Sequence, residues 1–243
     1  MRSGIGTTSL SVLLYERRAS NARLYRFGEY MPQTLLAMER SGVFLEGVLQ
    51  TPDAGGPFAT VVICHPHPLY GGSMGNNVVS AASAGVRAHG LATVLFNFRG
   101  VGRSSGEAGD RDEALHDVRA VLDYVANKEV VDSDRIGLAG YSFGSAVAAD
   151  AATSLIPALA LIALPLSMME EDGGALATYP GPVLLLSGGE DGGSNAEGLD
   201  KLATKMTGAT RVEIEAGADH FWSGHEQAVS DVVGEYFAKE LGG

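Results

Sequence analysis

The stretch that decides the fold is Gly140-Tyr141-Ser142-Phe143-Gly144, a Gly-x-Ser-x-Gly pattern with Ser142 at its centre. The pattern alone is weakly specific, but its flanks are informative. The apolar run from Arg135 to Ala139 favours a buried strand, and the Ala-rich run from Phe143 to Ala152 favours a helix. A strand, a tight turn and a helix form the setting in which this pattern exposes a nucleophilic serine.

The two glycines of the pattern have a steric function, because a turn this sharp leaves no room for side chains beside the serine. Ser142 would then lie at a helix N-terminus, where free N–H groups and the helix dipole stabilise negative charge. The alternative is a strand–helix turn with an incidental serine. The rest of the chain must supply a base and an acid if the serine is to act as a nucleophile.

Composition and charge exclude several classes of function. A chain of 243 residues suits one α/β domain. The formal net charge of -12 argues against binding to nucleic acid or to an anionic membrane surface. A single cysteine excludes an intrachain disulfide and a cysteine metal cluster, and Cys64 lies in an apolar run typical of a buried thiol. We expect a protein of a reducing compartment, the cytoplasm, with no membrane-spanning segment.

Residues 1–30 differ from the rest of the chain. They are rich in arginine although the protein is acidic, and they have no sustained hydrophobic period. A second methionine, Met31, precedes the first clear strand pattern. We therefore expect an N-terminal extension, either disordered or produced by a start assigned too early, followed by one domain over 31–243. A targeting peptide is the less favoured third possibility.

From Gln33 onward the pattern predicts strands that alternate with helices. Gln33 to Arg40 and Val43 to Gln50 form a hairpin around Ser41-Gly42. Alternation of this kind indicates a mostly parallel, doubly wound sheet of about eight strands with helices on both faces. The further predicted strands are Ala59 to Cys64, Ala92 to Phe98, Arg135 to Ala139, Leu159 to Leu164, Val183 to Ser187 and Thr210 to Ile214; the helices are Val78 to His89, Asp112 to Asn127, Phe143 to Ala152, Asn195 to Met206 and Ala228 to Leu241.

Candidates for the acid and the base follow the last two predicted strands. Ligands of open α/β sheets bind at the carboxyl ends of the strands, so residues just after a strand are well placed for catalysis. Asp191 comes after one strand, with Glu190 as its competitor, and His220 comes after the next, with His225 as the alternative. A histidine of near-neutral pKa suits proton transfer from a serine, and a carboxylate can orient it. We expect Phe221 and Trp222 to pack below His220.

A hydrolytic serine also needs donors that stabilise an oxyanion. The backbone N–H of Phe143 is one candidate, and the loop His65-Pro66-His67-Pro68-Leu69-Tyr70 supplies the second. The prolines lack an N–H, which leaves His67, Leu69 and Tyr70, of which His67 is preferred and Tyr70 is second. Metal binding by His65 and His67 is a weaker alternative, because no third ligand is evident.

Four motifs in order resemble the small, lidless bacterial α/β-hydrolases near the dienelactone hydrolases. They are His65-Pro66-His67-Pro68 with Gly71-Gly72, Asn97-Phe98-Arg99-Gly100, the Ser142 pattern and Gly217-Ala218-Asp219-His220. The resemblance implies an α/β-hydrolase fold and a catalytic triad of Ser142, Asp191 and His220, with no cofactor and no metal. The order of serine, acid and histidine agrees with that fold. Arg99 is expected to be structural.

The short Pro165 to Pro182 segment leaves no room for a cap domain, so we expect an open, shallow site. The leading hypothesis is a serine hydrolase of small carboxylic esters, lactones or thioesters, with a small-molecule substrate as its partner. The alternatives are a peptidase or amidase with the same triad and a non-catalytic binding scaffold. The sequence does not indicate an oligomeric state.

Overall fold

The computed structural model describes residues 33–40, 42–53 and 55–242. The predictions about residues 1–30 therefore lie outside the described residues. The described residues are built around one twisted sheet, and its strands contain the apolar stretches of the sequence.

Eight strands form this sheet in the order β1-β2-β4-β3-β5-β6-β7-β8. All neighbouring pairs from β4 to β8 are parallel, whereas β1 with β2 and β2 with β4 are antiparallel. The predicted fold class, a mostly parallel sheet with an N-terminal antiparallel hairpin, is therefore confirmed. The strands are β1 (Gln33–Arg40), β2 (Val43–Gln50), β3 (Phe58–Cys64), β4 (Ala92–Phe96), β5 (Val131–Tyr141), β6 (Leu159–Ile162), β7 (Val183–Gly188) and β8 (Thr210–Glu215).

The hairpin has the bounds that the two apolar-rich runs around Ser41-Gly42 predict. Arg40 pairs with Val43, and Gly42 in the turn has a φ of 80°, which a residue without Cβ adopts freely. Leu36 and Met38 point into the core while Leu35 is exposed. One face of the hairpin is therefore buried and the other is not, as expected at the edge of an antiparallel sheet.

Helices cover both faces of the sheet. The helix α2 (Arg111–Ala126) packs on one face with α3 (Phe143–Ala151), α4 (Ala175–Thr178) and α5 (Ala196–Ala203). The opposite face is covered by α1 (Asn77–Ala88) and α6 (Glu226–Leu241). Side chains of β3 alternate between the two cores, with Val62 on one face and Val61 on the other. No helix in the described part of the chain has the length and apolar character needed to cross a membrane.

The largest difference from the sequence prediction lies at the start of β5. The strand begins at Val131 and not at Arg135, because Val131 pairs with Phe58 before a shift in register. Between these positions Asp132 forms an ion pair with Arg135 at 2.7 Å. The polar residues of this half-exposed stretch hide the strand from an argument based on apolar runs.

The strand order places the candidate residues at one edge of the sheet. β3 lies between β4 and β5, so the chain reverses its direction of winding there, and ligands bind at such a point in open α/β sheets. The loops after β3, β5, β7 and β8 all leave from the carboxyl ends of these parallel strands. They bring His67, Ser142, Asp191 and His220 to the same side.

We predict that Gly85→Ala destabilises the fold through the contact between α1 and α6. A Cβ at Gly85 would overlap the Ser230 carbonyl, and Gly234 lies against the Gly85 backbone. The helices must separate, so the free energy of unfolding should fall by about 1–3 kcal/mol in urea denaturation. Gly192→Ala is the control, since a Cβ there meets nothing within 4 Å. Equal stability of the two variants would contradict the proposed close packing.

Candidate active site

The turn between β5 and α3 holds Ser142 in a strained conformation. Its φ is 54° and its ψ is -122°, and its N–H donates to the Ile162 carbonyl at 2.9 Å. A non-glycine residue with positive φ costs on the order of 1–3 kcal/mol, so the surrounding contacts must fix it. The strain lifts the side chain of Ser142 above the carboxyl end of the sheet, where it is half-buried.

The two flanking glycines permit this turn, as the sequence predicts. A Cβ on Gly140 would overlap the Gly144 carbonyl. A Cβ on Gly144 would lie 2.5 Å from the carbonyl oxygens of both Cys64 and His65. The first turn of α3 therefore packs directly on the end of β3, and any side chain would push the two apart.

Three predicted side chains meet at this turn. The Ser142 Oγ lies 2.9 Å from His220 Nε2, and His220 Nδ1 lies 2.7 Å from Asp191 Oδ2. The Asp191 carboxylate is almost fully buried and also accepts the Gly193 N–H at 2.9 Å. With a neutral imidazole, Nδ1 carries the proton and Nε2 is free to accept the Ser142 proton. The arrangement can thus deprotonate the hydroxyl.

The charges in this contact support one another. The hydrogen bond to Asp191 raises the pKa of His220 above its usual range, although burial acts in the opposite direction. Burial raises the pKa of Asp191, but the hydrogen bonds from His220 and Gly193 outweigh it and hold the pKa below its usual range. The carboxylate therefore stays ionised and stabilises an imidazolium.

The competing acid and base lie elsewhere. Glu190 is exposed, and its backbone N–H donates to Ala218. His225 Nδ1 lies 3.2 Å from the Glu215 carboxylate instead of facing the serine. The geometry therefore selects Asp191 over Glu190 and His220 over His225 as partners of Ser142.

In the loop after β3, one predicted backbone donor is free among the described residues and another is already hydrogen-bonded. Within the described part of the chain, the N–H groups of Phe143 and His67 have no acceptor, and the two rings lie 4.5 Å apart. The prediction for Tyr70 is corrected, because its N–H donates to the His67 carbonyl at 3.1 Å. The Leu69 N–H donates to the His67 ring. His67 and Phe143 remain the candidate pair.

His65 fixes this loop through both of its ring nitrogens. Nδ1 donates to the Pro66 carbonyl at 2.6 Å, and Nε2 accepts the Phe98 N–H at 3.0 Å. Burial lowers the pKa of His65 to about 4, so the ring is neutral. Since both nitrogens bind the backbone, His65 has none left for a metal ion.

Two residues that the sequence argument missed hold the loops of the site. The Tyr141 hydroxyl donates to the His220 carbonyl at 2.7 Å. The Asn97 amide accepts the Met74 N–H at 2.9 Å and donates to the Glu46 carboxylate at 2.9 Å. Both lie in motifs already singled out, but their side-chain directions depend on tertiary contacts. Arg99 is structural as expected, with its guanidinium 2.8 Å from Asp117.

The neighbours of His220 differ from the prediction in one respect. Trp222 is fully buried below the histidine loop, whereas Phe221 is 67% exposed. The reason is the φ of 59° at Trp222, which turns the chain so that successive side chains face opposite ways. Between β6 and β7 the chain forms only a short 3-10 turn and the four-residue α4, so nothing there covers the site as a cap domain would.

We predict that the histidines titrate differently in an NMR pH titration. His220 should titrate above about 6.5, because Asp191 favours its protonated form, whereas His65 should stay neutral down to about pH 5. Asp191→Asn should lower the pKa of His220, since the negative charge is lost. Glu190→Gln, the matched control, should leave it unchanged. An unshifted His220 in Asp191→Asn would show that the two side chains do not interact in solution.

Known structures share this arrangement of the chain. An α/β serine hydrolase homologue from Coxiella burnetii is 29% identical with a TM-score of 0.73, over 87% of this chain and 99% of that one. An α/β serine hydrolase without a lid from Xanthomonas campestris is 27% identical with a TM-score of 0.75, over 87% and 96%. A dienelactone hydrolase from Anabaena variabilis, 18% identical with a TM-score of 0.72 over 87% and 99%, shares the fold.

These likenesses agree with the lidless hydrolase fold that the motifs indicate. A protein-family model, that of the X-Pro dipeptidyl-peptidases (S15 family), matches residues 41–228. The match includes the loop after β3, the turn at Ser142, Asp191 and His220. The chain therefore belongs to the S15 family of α/β-fold serine hydrolases.

Proposed function

We propose that the chain is a serine hydrolase that cleaves small carboxylic esters, lactones or thioesters through an acyl-enzyme on Ser142. The observation that carries the proposal is the continuous contact from Ser142 Oγ through His220 to Asp191, at 2.9 Å and 2.7 Å. A serine hydroxyl is a weak nucleophile until a base in this position removes its proton. A second feature is that no cap domain is inserted between β6 and β7, which favours small substrates.

The proposed first half-reaction forms the acyl-enzyme. His220 Nε2 takes the proton of Ser142 as Oγ attacks the carbonyl carbon, and the carbonyl π electrons move to oxygen. Asp191 stabilises the imidazolium that results. When the intermediate collapses, the bond to the leaving group breaks and His220 protonates the departing alcohol or thiol.

The second half-reaction returns the enzyme to its starting state. Water gives a proton to His220 and adds to the acyl carbon, and Ser142 leaves with the proton that His220 returns. Both tetrahedral intermediates carry an oxyanion. The free N–H groups of Phe143 and His67 are the proposed donors, and the N-terminus of α3 adds its dipole.

The family match supports a second candidate, a peptidase or amidase that acts on the bond after proline. The same nucleophile and base cleave amides, with His220 protonating an amine instead of an alcohol. A panel of p-nitrophenyl acetate, a thioester, a lactone and Gly-Pro-p-nitroanilide separates the two candidates. Faster hydrolysis of the ester, thioester or lactone than of the nitroanilide supports the first candidate, and the opposite preference supports the peptidase or amidase. A protein that hydrolyses none of the four supports a binding scaffold.

We predict that Ser142→Ala lowers kcat for p-nitrophenyl acetate by up to about 10⁶, because no other group can form the acyl-enzyme. The control is Ser80→Ala, which removes an exposed hydroxyl from α1. Below the pKa of His220 the base is protonated, so kcat/KM should fall towards acid with a midpoint above about 6.5. Full activity in Ser142→Ala would contradict the proposed mechanism.

A backbone donor can be tested by comparing two substitutions of one residue. His67→Ala removes the ring and keeps the N–H, whereas His67→Pro removes both, and the φ of -56° at His67 suits proline. We expect kcat of His67→Pro to be about 10²–10³ lower than that of His67→Ala. Equal kcat values in two folded variants would exclude the His67 N–H as an oxyanion donor.

A further inference from the structure

Three large apolar side chains are exposed at the mouth of the site. Leu69, Tyr70 and Phe221 are 72%, 88% and 67% exposed. They lie in the two loops that carry His67 and His220, and we call the three together the apolar rim. Single exposed apolar residues are common on proteins, but a group of them on adjoining loops marks a contact surface.

The exposure of Phe221 is imposed by its backbone. Its N–H donates to the Asp219 carboxylate at 2.9 Å, and its carbonyl accepts from the Asn77 amide at 3.2 Å. The positive φ of Trp222 directs that larger ring inward. The turn therefore buries one aromatic ring and holds the other in solvent beside His220, at 5.8 Å between ring centroids.

Tyr70 stands on the opposite loop and is connected to the turn at Ser142 through a neighbouring ring. Its ring centroid lies 5.0 Å from that of His67, which in turn lies 4.5 Å from Phe143. The loops adjoin, because Asn77 at the start of α1 follows the first loop and binds the Phe221 carbonyl of the second. Phe221 therefore lies beside His220 on one loop, and Tyr70 on the other loop is linked through His67 to Phe143, the residue after Ser142.

We propose that the apolar rim binds an uncharged aromatic group on the leaving-group side of the substrate. The inference rests on the proposed ester hydrolysis and adds a substrate class to it. His220 must protonate the leaving oxygen, so the leaving group must reach the histidine against which Phe221 lies edge-on, with an interplanar angle of 87°. A flat ring on the leaving group can pack against an exposed aromatic ring of the rim in the offset or edge-on geometries that aromatic pairs prefer.

The charge of the preferred group follows from the rim and from the protein. The rim consists of leucine, tyrosine and phenylalanine and contains no acidic or basic residue, so it offers no ion pair to a charged substituent. The net charge of -12 repels anionic substrates at long range. An uncharged aryl or benzyl alcohol is accordingly favoured as the leaving group over an alcohol that carries an anionic substituent.

The test compares benzyl acetate with cyclohexylmethyl acetate, which share the acyl group and the size of the ring but differ in its flatness. Wild-type kcat/KM should be about tenfold higher for benzyl acetate. Phe221→Leu keeps an apolar side chain at an exposed position and should bring this ratio close to one through a loss of kcat/KM for benzyl acetate. Tyr70→Leu should lower the ratio by a smaller factor.

Leu155→Ala is the matched control, since it removes another exposed apolar side chain, 83% exposed, from the loop that precedes β6 at the opposite end of the sheet. It should keep the tenfold ratio. Equal kcat/KM for the two esters in the wild type, or a ratio that survives substitution of both Phe221 and Tyr70, overturns this inference. Hydrolysis of both esters that depends on Ser142 would then still support the proposed function. If neither ester is hydrolysed in a manner that depends on Ser142, this inference fails, and the panel of ester, thioester, lactone and nitroanilide substrates decides whether the proposed function fails as well.

Discussion

The close approach of α3 to the end of β3 is the constraint on which the site depends. Gly144 touches the carbonyl groups of Cys64 and His65, so the position of the helix and the path of the next loop determine each other. This contact forces Ser142 into its strained turn and places the free N–H of Phe143 beside the loop of His67. The candidate nucleophile and the candidate donors are thus set by backbone packing, which needs no reorganisation during a reaction.

The loops around this contact are held by polar groups that stay within the protein. Burial keeps the His65 ring neutral, and the Nε2 of the neutral ring accepts the Phe98 N–H. Asn97 connects the loop of His67 to Glu46 on the hairpin, and Tyr141 connects the strand of Ser142 to the loop of His220. Each of these hydrogen bonds has one partner in a loop at the carboxyl edge of the sheet. The other partner lies either in another of these loops or in a strand. The rigidity of the site therefore follows from the topology of the sheet as well as from the residues that would react.

The sequence predicts what depends on local pattern. Two apolar-rich runs on either side of Ser41-Gly42 predict the hairpin, and the glycine spacing predicts the turn at Ser142. The sequence does not predict the start of β5. The residues after Val131 are polar, and the strand is recognised there only from the pairing of Val131 with Phe58. The sequence also placed Tyr70 among the donors, because a hydrogen bond from its N–H to the His67 carbonyl cannot be read from residue types. The opposite directions of Phe221 and Trp222 depend on one positive φ, which no sequence rule predicts for tryptophan.

We propose that packing and the His220–Asp191 pair make Ser142 nucleophilic. The most direct measurement is mass spectrometry of the protein after treatment with a fluorophosphonate, with peptide mapping of the modified residue. We expect a single adduct on Ser142, formed rapidly in the wild type and slowed by several orders of magnitude in His220→Ala. An unmodified Ser142, or labelling at the same rate without His220, would contradict this proposal.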